Sequence, residues 1–317
     1  MTSTLIGISL AVFSAAFLSL GNIWQSRGVQ IATAHRQGRS QFGALLRTKI
    51  WLFGTVMFGV AIVLQMSSLA FAPITLVQPI GILALVFSVL INAKHSGVRP
   101  SQGVVKSVTV TLLGVTAYVI IASVVTTQGK ISDQQLINIL CALAAALLIA
   151  GVIRLLNQGK SLGIPVLYVV LAGMFSAFVA TLGKTVISRV KTLVESGLFS
   201  FDSGTVLTII CVLGMGIASA LTIYFTQTAY TCNPSDVVVA GLTVIDPGIA
   251  VFLGILILNE AAGASWWSLL AILLAGVVAM FGVVRLVFAE QNSLGADKSG
   301  NDQGSAATPA DAHTPKS

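Results

Sequence analysis

The hydrophobic positions of this chain do not alternate with polar ones; they gather into nine long apolar runs, each with at most one charged residue, separated by short polar stretches. The runs lie near Leu5–Trp24, Ile50–Ala70, Ile74–Asn92, Val104–Val125, Leu136–Ile153, Pro165–Ile187, Thr205–Gln227, Val237–Leu258 and Trp266–Phe288. Each approaches the roughly 20 residues that a helix needs to cross about 30 Å of hydrocarbon. In lipid, every backbone amide must bond within its own segment or around a closed barrel, and continuous apolar runs select the helix. The pattern predicts an all-α integral membrane protein of about nine transmembrane helices. The first run has no basic residue before it and carries Asn22 and Gln25 where small cleavage residues would stand, so it reads as a retained helix rather than a signal peptide.

Comparing the chain with itself at an offset of 162 residues exposes a repeat. Phe13-Ser14-Ala15 recurs as Phe175-Ser176-Ala177, Leu20-Gly21 as Leu182-Gly183 and Ser26-Arg27 as Ser188-Arg189, seven identities in fifteen positions. The same offset carries Gly54 onto Gly216, Gln65 onto Gln227, Gly114-Val115 onto Gly276-Val277 and Ala117 onto Ala279. After a one-residue slip Pro73 faces Pro234, each at the start of a span, as the first turn of a helix favours. Four helices are thus duplicated around an unpaired fifth. Because five spans separate equivalent positions, the second set enters the membrane inverted. The expected units are 1–126 (helices 1 to 4), 127–160 (linking helix 5), 161–288 (helices 6 to 9, inverted) and 289–317, a polar tail read as disordered and cytoplasmic.

Composition sharpens this picture: 56% of residues are hydrophobic and 9% charged, against roughly a quarter charged in soluble domains. The net charge of +7 is spread over loops, which argues for topology rather than nucleic-acid binding. One assignment of the loops places thirteen of the seventeen Lys and Arg residues on one face, including Arg27, Arg36, Arg39, Arg47 and Lys49. The positive-inside rule makes that face cytoplasmic, with the N-terminus outside, the C-terminus inside and the protein in the cell membrane. Lys130, Lys184, Arg189 and Lys191 then lie outside against the trend. Cys141, Cys211 and Cys232 read as small packing residues, and neither a metal-spaced cluster nor a phosphate-binding motif is present, so no cofactor, metal site or enzymatic activity is expected.

Polar side chains inside apolar runs carry the functional expectation, because a carboxylate at a helix centre costs roughly 2.5–3.5 kcal/mol on the insertion scale. Asp246 stands about ten residues into the eighth run and is followed by Pro247, which deprives the carbonyl four residues earlier of its helical partner. Thr243 shares its face, while Asp236 reads as an N-cap. Gln65 and Gln227, at equivalent depths, suggest a shared cavity or interhelical glue, and Gln78-Pro79 resembles a second helix break. Asn22 and Lys184 are repeat equivalents. For Lys184, snorkelling to the interface is favoured over an inward position from which it would pair with Asp246 or an anionic substrate.

Two stretches resemble the drug/metabolite transporter superfamily, in particular its EamA-like and NIPA-like members: Val244-Ile245-Asp246-Pro247-Gly248-Ile249-Ala250 through Gly254 and Leu258-Asn259-Glu260, and Leu69-Ala70-Phe71-Ala72-Pro73-Ile74-Thr75-Leu76-Val77-Gln78-Pro79-Ile80-Gly81. Typical EamA-like transporters have ten helices; nine runs match what NIPA-like magnesium transporters are thought to have. With the inverted repeat, the resemblance implies a secondary transporter, coupled to protons or ions, that moves a small metabolite or lipid-linked solute by alternating access. A divalent-cation transporter and a non-transporting scaffold docked through the Arg27–Lys49 loop are the alternatives. The expected partners are a small solute or ion and the bilayer, with no nucleic acid; a homodimer is allowed but not specified.

Overall fold

The computed structural model describes residues 2–34, 47–96, 100–156, 165–196 and 203–305. Among them every regular element is helical: α1 (Thr2–Ala34), α2 (Lys49–Phe71), α3 (Ile74–Gly81), α4 (Leu83–Ser96), α5 (Gln102–Val125), α6 (Asp133–Leu156), α7 (Val166–Ser196), α8 (Ser203–Cys232), α9 (Ser235–Leu256) and α10 (Trp266–Ser305). Counting α3 and α4 as one interrupted span, nine of these described segments are long and apolar enough to cross a membrane. The chain is an all-α, multi-pass membrane protein. Leu113, Val124, Leu148 and Leu213 are more than 60% exposed, as lipid-facing residues should be, since a bilayer removes any need to hide them.

Two spans form the spine. Over its most apolar stretch the α7 span is 56% buried and the α3–α4 span 50%, whereas α2 is 11% buried. Around them the two quartets use the same pairings: α1 lies on α2 as α7 lies on α8, α3 and α4 lie on α1 as α9 lies on α7, and α3 meets α5 as α9 meets α10. The quartets join where α3 crosses α9 and α5 crosses α10. The α5–α10 crossing is close because Gly114 has no side chain: an added Cβ would sit 2.5 Å from the amide nitrogen of Ala279. Small residues are what helices in lipid use to bring backbones together.

Three sequence expectations change. The break at Phe288 is a break in composition but not in structure, because α10 continues to Ser305. Extending a formed helix needs no new nucleus, and Ala289, Glu290, Gln291 and Leu294 all favour it. Residues 306–317 lie outside the described ones, as do Arg36 and Arg39 of the basic loop. Asp236 is not the N-cap of α9; Pro234 is, just as Pro73 caps α3. Lastly, Pro247 does not break its helix, since α9 runs through it uninterrupted. A proline removes one ladder bond, and the remaining bonds of a 22-residue helix carry it past. At Pro79 the outcome differs: α3 has only eight residues, Gly81 ends it, and the chain turns at Ile82 before α4.

Candidate functional site

Two polar centres meet the two strategic points of this bundle. The first is a cavity of about 280 Å³ between α1, α2, α3 and α9, lined by Ser14, Gln65, Gln78, Thr243 and Asp246 among apolar neighbours. Ser176 of α7 donates to Asp246 Oδ2 at 2.6 Å. Its repeat equivalent, Ser14, donates to the Ala61 carbonyl at 2.8 Å, so one duplicated serine ties α1 to α2 and the other holds the carboxylate. Asp246 Oδ1 is buried and has no hydrogen-bond partner. Among the described residues, no Lys, Arg or His lines this cavity. A buried carboxylate oxygen without a partner is costly, which marks Asp246 as a candidate functional group.

The second centre lies at the α2–α3 junction, where a helix ends and another begins within three residues. The last carbonyls of α2 and the first amides of α3 have no partners within their own helices. Lys184 Nζ, on α7, donates to the carbonyls of Leu69 and Ala72. Glu260, in the α9–α10 connection, accepts from Ile74 N and Thr75 N at 2.8 Å each and from the Thr75 hydroxyl at 2.7 Å. Cation at a C-terminus and anion at an N-terminus also suit the helix dipoles. Burial pushes the Glu260 carboxyl above the ordinary glutamate pKa, while the charge of Lys184 and the donors of Thr75 and Ile74 pull it back.

Local sequence explains why Glu260 reaches this place. A Cβ on Gly254 would sit 2.7 Å from both Ile74 Cγ2 and Thr75 Oγ1, so only glycine lets the end of α9 approach α3. Asn259 adopts φ 54°, a left-handed turn that asparagine tolerates, and swings the next side chain inward. The same end is tied further by Thr127 N to the Glu260 carbonyl at 2.7 Å, Gln128 to the Ala70 carbonyl at 3.1 Å and Gln135 to the Leu258 carbonyl at 2.9 Å. Three connections, α2–α3, α5–α6 and α9–α10, thus close one end of the bundle through polar contacts.

No family model, curated protein or solved structure matches this chain. Of the residues singled out in the sequence, Asp246, Thr243, Gln65 and Gln78 converge on the cavity, although the Thr243 hydroxyl donates to Val239 O of its own helix. Pro79 and Pro247 flank it; among the described residues, no group of three or more His, Cys, Asp or Glu side chains comes together.

Gln227 and Asn22 do not join it: both are exposed. Gln227 lies two residues beyond buried Phe225, about 200° around α8, so it faces away from the core. Gln65 instead follows buried Ala61 by one turn. The shared cavity expected from their symmetry is thus supplied by one glutamine. Lys184 does not snorkel; it is 2% exposed and turned inward, yet it meets backbone carbonyls rather than Asp246.

Glu260, Thr75, Tyr118 and Ser176 were not singled out as site residues by sequence reasoning. Pro79 has no N–H to offer the Thr75 carbonyl, and the Tyr118 hydroxyl fills that gap from α5 at 2.9 Å. We expect Tyr118→Phe to lower stability by about 1–3 kcal/mol, the cost of stranding one buried acceptor. The loss should appear in thermal unfolding of the purified protein, with Tyr230→Phe as the control.

Arg189, one of the cations against the positive-inside trend, forms an ion pair with Asp133 at the start of α6 and also donates to the Ile131 carbonyl at 3.3 Å. A cation satisfied this way needs no cytoplasmic loop.

Proposed function

We propose that this protein is a secondary transporter that works by alternating access, with the Asp246 cavity as its solute or coupling-ion site. The observation that carries the reading is buried Asp246, one carboxylate oxygen unpartnered, in the wall of a cavity between helices of both quartets. A buried acid without a basic partner is what a transporter needs to take up and release a cation or proton. The repeated helix pairings support it too, since two inverted, similarly packed halves give two similar states open to opposite sides. The resemblance to the drug/metabolite transporter superfamily points the same way.

In this reading the Lys184–Glu260 end is a closed gate, and the positive-inside assignment makes it the outer one. Transport requires the α2–α3 junction to part from the α9–α10 connection while the α5–α10 crossing acts as a pivot. Labelling with a membrane-impermeant maleimide tests this. Ser14→Cys and Thr243→Cys are placed in a chain with Cys141, Cys211 and Cys232 replaced by serine. Labelling of both positions from each side in turn, shifted by an imposed proton gradient, is the expected result. Access from one side only, under every gradient and solute tried, would overturn it.

A further inference from the structure

A second cavity, of about 340 Å³, lies beside the Asp246 site between α3, α5, α9 and α10. Its lining is apolar apart from Tyr118, whose hydroxyl is already committed to Thr75, and the indole of Trp266 at its mouth, and includes Val251, Leu269, Leu273 and Met280. The two cavities share Ile82 and Pro247, and the residues on either side of that ridge alternate between them: Gln78 and Asp246 face the polar cavity, Pro79 and Gly248 the apolar one. The proline in α9 thus separates a polar chamber from an apolar groove by the width of one side chain.

The groove faces the bilayer. Leu273 and Trp266 in its lining are 62% and 74% exposed. It runs along α10 from Trp266 to Met280, about 21 Å at roughly 1.5 Å per residue. Trp266 and its neighbour Trp267 open the span, where tryptophans settle at the headgroup level. Its mouth therefore lies at one interface and its inner end near mid-bilayer, beside Asp246. In lipid, an apolar groove gains little by choosing one hydrocarbon chain over another, so any selectivity must come from the polar end.

Resting on the transport reading above, we infer that the solute is a cationic amphiphile, its head group donating to Asp246 and its alkyl chain lying in the Trp266–Met280 groove. The head is cationic because the chamber wall holds the Asp246 carboxylate, two amides and two hydroxyls and, among the described residues, no basic side chain. The tail is hydrocarbon because, past the Trp266 indole at its mouth, the adjoining groove is lined by aliphatic side chains and Met280, with Tyr118 already bonded to Thr75. The shared ridge at Ile82 and Pro247 fixes where head meets tail. A solute of this shape need never leave the membrane; it enters from one leaflet and its head crosses through the chamber.

The test uses the full chain in phosphatidylcholine vesicles and a dodecylamine carrying a photoactivatable diazirine near its chain end. Matched probes carry a carboxylate head or no head at all. We expect the amine to label the Leu269–Met280 stretch at least tenfold more than either matched probe, with competition by unlabelled dodecylamine. Asp246→Asn should abolish that preference, and Leu273→Trp, which fills the groove, should cut labelling. Equal labelling by all three probes overturns the inference, and the wild-type comparison needs no variant that must fold. Flux of tail-free ethylammonium in the same vesicles separates the two claims. Asp246-dependent ethylammonium flux together with headgroup-blind labelling leaves the transporter standing and removes the amphiphile; absence of both removes both.

Discussion

Replacing Glu260 with alanine should destabilise the protein by about 3–5 kcal/mol, the largest loss expected from any single position in the connections between helices. The substitution strands the Ile74 and Thr75 amides and the Thr75 hydroxyl, each a buried donor whose loss costs about 1–3 kcal/mol, and leaves Lys184 without a nearby anion. Glu260→Gln keeps one acceptor oxygen and should cost less. Lys184→Met added to Glu260→Gln should give less than the sum of the two single losses, because each removes part of what the other answers. Unfolding followed by heat or denaturant, with the four proteins compared side by side, measures all of this. Strictly additive losses would show that the two caps act independently. A pH dependence accompanies it. Burial raises the folded pKa of Glu260 above the unfolded one, so between them the folded chain binds the extra proton. Stability therefore falls as pH climbs from the ordinary glutamate range through the raised one, and Glu260→Gln should flatten that slope.

The spans were legible because hydrocarbon imposes a crude rule, and a run such as Val104–Val125 returns almost unchanged as α5. So was the break at Gln78-Pro79, where the backbone chemistry of proline is local. What escaped reading was pairing between segments far apart in the chain. Glu260 stands outside every apolar run and looks like an ordinary loop acid; nothing local says that it will cap a helix 185 residues away. Its signals were present but oblique: Gly254 six residues earlier, Asn259 beside it, and a junction at Pro73 with amides to satisfy. Repeat symmetry misled at Gln227 and Asn22 for a related reason. Duplication copies residue types, but the face a helix buries depends on its neighbours, and α2 and α8 bury different sides. The same symmetry was informative at Ser14 and Ser176, where both copies face inward and take different partners.

Asp246→Asn should reduce solute flux in reconstituted vesicles by tenfold or more while leaving the fold intact. The amide still accepts from Ser176, whose hydroxyl approaches Oδ2 at 2.6 Å, so the contact between α7 and α9 survives. What disappears is the negative charge of a buried side chain in the wall of the chamber. A group at that position contributes by holding a cation in one state and releasing it in the other, and an uncharged isostere does neither. Ser176→Ala is the informative companion: it strips the remaining hydrogen bond from the carboxylate but keeps its charge, so it should alter the pH at which flux is half-maximal rather than eliminate flux. Flux measured across a pH series in wild type, Asp246→Asn and Ser176→Ala therefore separates charge from position. Were Asp246→Asn to transport as fast as wild type with the same pH profile, the carboxylate would be a structural group, and the cavity would have to work through Gln65, Gln78 and the backbone alone.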